Sequence, residues 1–128
     1  MNETEIKKIF EKLRKEVELV LSCHFHIKCN IDYEGKYPKK RDYAMTSGEE
    51  VFLSPKILKA DVNRVQGLLR HELGHAVLMQ AGLYEHSERQ VDKLAEVLFG
   101  DVIYYDQDDI QTINSKNGVS PRPSYLPN

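Results

Sequence analysis

The chain has 128 residues, 41% of them hydrophobic, and a formal net charge of -2. That length supports one core and leaves little for a second domain, and the near balance of charge offers no basic field for nucleic acid or anionic lipid. No apolar run reaches the roughly 18 residues of a membrane span, and the acidic start Met1-Asn2-Glu3-Thr4-Glu5 is unlike a secretory leader, so the expected location is cytoplasmic, with neither nucleic acid nor membrane as partner.

In chain order, the first element is an amphipathic packing helix over residues 3–22. Its apolar residues Ile6, Ile9, Phe10, Leu13, Val17, Val20 and Leu21 recur at helical spacing. A strand follows, because Cys23, Phe25, Ile27, Cys29, Ile31 and Tyr33 alternate with His24, His26, Lys28, Asn30, Asp32 and Glu34. This parity puts both thiols on a buried face and argues against a second metal cluster in Cys23-His24-Phe25-His26, since one strand cannot aim both of its faces at one ion. A disulfide is not expected in a chain without an export signal. The basic group Lys36, Lys39, Lys40 and Arg41 reads as a solvated turn.

Two short strands are expected at 42–46 and 49–54, joined as a hairpin through Ser47-Gly48 and stopped at Pro55. A helix then runs from the N-cap Asp61 to Ala81, with Gly82 as its stop. Ser87 and Gln90 have the spacing of a capping box for a last helix carrying Val91, Leu94, Ala95, Leu98 and Phe99 and ending at Gly100. Beyond it lies a short apolar stretch, Val102-Ile103-Tyr104-Tyr105, and from residue 114 a Ser, Asn, Gly and Pro-rich tail. The expected organisation is one domain over residues 1–113 and a flexible tail over 114–128.

The chemistry concentrates in His71-Glu72-Leu73-Gly74-His75. Histidines four apart on a helix stand one turn above each other, so both rings can reach one ion, and zinc takes neutral nitrogen ligands. The residue after the first histidine is placed to take a proton from a zinc-bound water, which makes Glu72 the expected general base. Gly74 costs about 1 kcal/mol in a helix relative to alanine, so its presence implies a close approach. A catalytic zinc needs a third protein ligand. Glu88 in the first turn of the next helix is the expected one, with His86 on the connecting loop as the alternative. Asp92, one turn beyond Glu88, would orient a ligating histidine through its other ring nitrogen.

His71-Glu72-Leu73-Gly74-His75 followed by Glu88-Arg89-Gln90-Val91-Asp92 resembles the HExxH and ExxxD arrangement of gluzincins, including compact ImmA/IrrE-type and related phage or bacterial domains. The resemblance covers about residues 42–99. It implies an α+β, zincin-like fold with a small mixed or antiparallel sheet, one Zn2+ ion, and peptide-bond hydrolysis. It further implies that Val51 to Ser54 form an edge strand beside the cleft, to which an extended peptide substrate adds. A donor to the developing oxyanion is expected from Tyr104 or Tyr105. Leu94-Ala95 stands where ImmA/IrrE-type domains have Phe-Ala, and the cysteine-rich ribbon of SprT-like families is absent from the sequence. Two other readings are a non-catalytic zinc-stabilised regulatory or binding module, in which His71, His75, His86 and Glu88 would close the coordination, and a protein acting by contacts alone through Pro121, Pro123 and Pro127.

Overall fold

The computed structural model describes residues 1–35 and 43–100. Helix α1 spans Glu3–Leu21 and is opened by Asn2, whose side chain accepts from the Glu5 N–H while Glu5 returns the bond to the Asn2 N–H. This reciprocal cap satisfies donors that the first turn would otherwise leave without acceptors. Ile6, Phe10, Leu13 and Val17 form its buried stripe, each contributing about 1.5–3 kcal/mol on removal from water. Val20 and Leu21 fall outside that stripe and are exposed, because the chain leaves the helix at Ser22 in a left-handed conformation, φ 54°. Glu18 fixes the exit: its Oε2 accepts from Arg14 Nη1 at 2.8 Å and from the Phe25 N–H at 2.9 Å.

The alternating segment behaves as expected in parity but only partly as a strand. Phe25, Ile27, Cys29 and Ile31 are buried and the residues between them are not, whereas ladder pairing is confined to β1, Lys28–Ile31. Cys23 is exposed and Tyr33 is 62% exposed, which corrects their assignment to the core. Both lie outside the paired stretch, so the alternation that buries Cys29 has no sheet on which to place them. Burial pushes the Cys29 thiol up to about 12, so it is a packing residue.

Strands β2, Ala44–Thr46, and β3, Glu50–Leu53, form the expected hairpin. Its turn is closed by the Ser47 N–H on the Glu50 carbonyl at 3.0 Å and by Thr46 Oγ1 on the same carbonyl at 2.7 Å. Gly48 takes φ +98° there, a backbone conformation that disfavours any side chain. The sheet order is β1-β3-β2, with β1 parallel and β2 antiparallel to β3. The segment Val51 to Ser54 is therefore not an edge. Three of its residues belong to the central strand, with Lys28 to Ile31 on one side and Ala44 to Thr46 on the other, and no side remains open to a peptide. The free edge on the hairpin side, among the described residues, is β2.

A 3-10 turn at Pro55–Lys59, capped by Ser54, carries the chain to α2, Val62–Gln80. Asp61 caps α2 by accepting from the Arg64 N–H at 2.8 Å. Its C-terminus closes with the Gly82 N–H on the Met79 carbonyl and the Leu83 N–H on the Leu78 carbonyl, the paired bonds of a Schellman stop with Gly82 at φ +86°. Helix α3, Glu88–Phe99, has the anticipated capping box of Ser87 and Gln90 and ends at Gly100. One core joins α1, the inner sheet face and α2, with Leu98 of α3 at its margin. Among the described residues the architecture is α+β, with three α-helices and a small mixed sheet. No helix among the described residues is long and apolar enough to cross a membrane. Residues 101–128, which hold the expected tail, lie outside the described residues.

Candidate metal centre

The buried face of α2 changes character along its length. Val65, Leu68 and Leu69 feed the core, and the next turns bury His71, Glu72, Leu73, Gly74 and Ala76. The second half of α2 meets α3, and Gly74 sets how near. A Cβ at Gly74 would stand 3.1 Å from Val91 Cγ1 and 3.4 Å from the Val91 carbonyl oxygen. The close approach expected from a glycine in mid-helix is thus the contact between the two helices, and it brings the first turn of α3 over the histidines.

Three side chains converge at that crossing. His71 Nε2 lies 2.7 Å from Glu88 Oε1, His75 Nε2 lies 3.3 Å from Glu88 Oε2, and the two Nε2 atoms are 3.0 Å apart. One donor atom from each of His71, His75 and Glu88 falls within 4.8 Å of the others. A tetrahedral zinc with bonds of about 2.0–2.1 Å sets its donors roughly 3.3 Å apart, so this set of two imidazoles and a carboxylate fits such an ion with little adjustment. Asp92 stands behind the cluster, its Oδ1 3.4 Å from His71 Nδ1. Glu72 is buried to 7% exposure, and its charge acts on His71. The Glu88 side chain remains 40% exposed, which leaves the cluster reachable from solvent.

The electrostatics of the site favour a cation. Burial alone would lower the pKa of His71, but its hydrogen bonds to Asp92 and Glu88 and the charge of Glu72 outweigh burial and raise it to about 10. Burial would raise the pKa of Glu88, but its bonds to His71 and His75 hold it well below the usual carboxylate range. The carboxylates of Glu72, Glu88 and Asp92 thus favour positive charge at His71.

His86 does not join this cluster. Its Nε2 lies 2.7 Å from Nδ1 of His75, the ring nitrogen directed away from Glu88, and its Nδ1 lies 2.7 Å from the Leu83 carbonyl. The other contact that spacing alone did not disclose is Gln80, whose Nε2 donates to the carbonyls of His26 and Gly48 at 2.9 and 2.8 Å. That bond pair holds the end of α2 against the hairpin and the approach to β1. No periodicity marks Gln80, because its partners are main-chain atoms. His86 was visible as a histidine in a short interhelical loop. Tyr104 and Tyr105 lie outside the described residues.

No family model and no curated protein matches the chain. Among solved structures, it is similar to the crystal structure of the metallopeptidase zymogen of Pyrococcus abyssi abylysin, with a TM-score of 0.52 and 21% identity, over 87% of this chain and 97% of that one. At that identity the likeness shows a shared fold.

Proposed function

We propose that the chain is a zinc-dependent endopeptidase in which His71, His75 and Glu88 hold the ion and Glu72 moves the protons. The observation that carries this reading is the convergence of His71 Nε2, His75 Nε2 and the Glu88 carboxylate at the crossing of α2 and α3. When bound, zinc supplies the positive charge that polarises a scissile carbonyl and lowers the pKa of a water to about 7. Glu72 then accepts the proton of the attacking water as the new C–O bond forms, and delivers it to the leaving amine as the C–N bond breaks. Burial of Glu72 beside His71 keeps its carboxylate out of bulk water, which strengthens its electrostatic interactions. Asp92 orients His71 through Nδ1. Tyr104 or Tyr105, which follow α3 in sequence, supplies the donor to the oxyanion.

The substrate strand belongs on β2. The Ser54 N–H bonds the Tyr43 carbonyl and the Ser47 N–H bonds the Glu50 carbonyl, so Met45, paired with Phe52 between them, also directs its main-chain groups toward β3. Ala44 and Thr46 direct theirs the other way. An extended peptide can add there by main-chain hydrogen bonding, on the strand that α2 packs against more than it does against β3.

The test is metal content of the purified protein beside His71→Ala, Glu88→Ala and Glu72→Gln, followed by cleavage of unfolded protein substrates. The expected result is one zinc per chain, weakened in the first two variants and retained without cleavage in the third. Zinc retained with no Glu72-dependent cleavage of any peptide would point to the zinc-stabilised binding module, and no metal uptake at all would overturn the reading.

A further inference from the structure

His75 has one ring nitrogen toward the cluster and the other toward His86, and the second contact determines what the first can do. The Leu83 carbonyl, 2.7 Å from His86 Nδ1, can only accept, so His86 Nδ1 carries the hydrogen. The other nitrogen of a neutral His86 is then an acceptor, and the 2.7 Å contact with His75 Nδ1 makes His75 the donor. In this tautomer His75 Nε2 would offer its lone pair to a cation held together with His71 and Glu88, which is the form a metal ligand needs. With the opposite polarity, His86 would donate from Nε2, the hydrogen of His75 would sit on its Nε2, and the position facing Glu88 would be closed to a cation.

The anchor of this chain of bonds is main-chain structure. Leu83 follows the stop of α2, and its N–H is held by the Leu78 carbonyl at 2.8 Å. On the other side, His86 immediately precedes Ser87, the cap of α3. The loop between the helices thereby fixes the backbone of His86 and the Nδ1 end of its ring, and the two histidines of the cluster are supported unequally: His71 by the carboxylate of Asp92, His75 by an imidazole.

We propose that His86 is a positioning residue that sets the tautomer and ring orientation of His75 for cation binding. This inference rests on the zinc site proposed above. It is tested on the full-length chain with His86→Phe, which keeps a ring without an acceptor, and His86→Gln, whose amide oxygen can accept. Two quantities are read: the zinc dissociation constant by chelator competition, and the His75 Nδ1 proton of the zinc-loaded protein by long-range 1H–15N correlation. Circular dichroism confirms folding. The expected wild-type protein shows a slowly exchanging, downfield His75 Nδ1 proton. In His86→Phe that proton exchanges rapidly and zinc binds about 10–100-fold more weakly, and His86→Gln recovers most of both. Wild-type affinity and an unchanged proton in His86→Phe would overturn the role of His86 and leave the zinc site standing, as would equal losses in both variants. Failure of the wild-type protein to bind zinc would overturn the site itself, and this inference with it.

Discussion

Replacing Gly74 by alanine separates two effects that usually act together. In an isolated helix the change stabilises by about 1 kcal/mol, because glycine loses more backbone freedom on folding. In this protein the added methyl would stand 3.1 Å from Val91 Cγ1, 3.4 Å from the Val91 carbonyl oxygen and 4.0 Å from Ala95 Cβ. Val91 is fully buried, and its carbonyl belongs to the α3 backbone, so relief requires a shift of α3 by a few tenths of an ångström. Overpacking of this kind costs about 1–3 kcal/mol, and the net expectation is a loss of roughly 0–2 kcal/mol in urea unfolding of the metal-free protein. The larger effect falls on the site, because Glu88 is one turn before Val91 on the helix that moves, and ligand geometry tolerates little displacement. Chelator competition should show zinc affinity reduced more, in free-energy terms, than stability. Adding Val91→Ala, which removes the nearest clashing atom, should restore part of the affinity while lowering stability further through lost packing. A Gly74→Ala protein that is more stable by the helix-propensity increment and binds zinc as the wild type does would refute the claim that Gly74 sets the interhelical distance.

Other expectations are more direct. Because His71 in the metal-free protein holds its proton up to about pH 10 and must lose it to bind an ion, apparent zinc affinity should rise about tenfold per pH unit between pH 6 and 8; a flat profile in chelator competition contradicts this. In the metal-free protein, the raised pKa of His71 contributes stability that is complete below its ordinary 6.5 and fades as pH rises toward 10, and the lowered pKa of Glu88 contributes stability complete above its ordinary 4.5 and fading at lower pH. Urea midpoints of that protein should accordingly decline on both sides of the interval between those ordinary values, and Glu88→Gln should flatten the acid side. Gln80→Ala, which deletes bonds to His26 and Gly48, should cost about 1–2 kcal/mol in urea unfolding and leave zinc affinity unchanged. Ala44→Pro removes a main-chain N–H on the free side of β2 without breaking the ladder to β3. It should raise KM for a cleaved peptide at unaltered zinc affinity, and an unchanged KM would remove β2 from the substrate path.

The two helices of the site were legible in the sequence because their ends are written in local chemistry. Asp61 and Gly82 bracket α2, and Ser87, Gln90 and Gly100 bracket α3, each through bonds within a few residues. The spacing of His71 and His75, and of Glu88 and Asp92, then puts these side chains on the sides by which the two helices face each other. The place of β3 was not legible. An alternating or apolar run shows that a strand is half or fully buried, and does not show which neighbours it takes. The parallel pairing of Lys28 to Ile31 with Glu50 to Leu53 joins segments far apart in the chain, and it moved the open edge from Val51 to Ser54 onto Ala44 to Thr46. Cys23 shows the complementary limit, since side-chain parity continues past the end of a ladder but burial does not. The sequence offers His86 as an alternative ligand, whereas its Nε2 meets His75 Nδ1, a contact that spacing does not encode.

Among the described residues, the side chains that gather at the site, from His71 to Asp92, lie on one helical hairpin closed by a short loop. The entropy lost in bringing Glu88 to His75 is therefore that of a small loop, and the contacts involved are local ones of the kind that form early in folding. A cation bound there would staple neighbouring turns of the chain and not its distant parts. The pairing of β1 with β3 and the docking of α1 rest on apolar burial elsewhere.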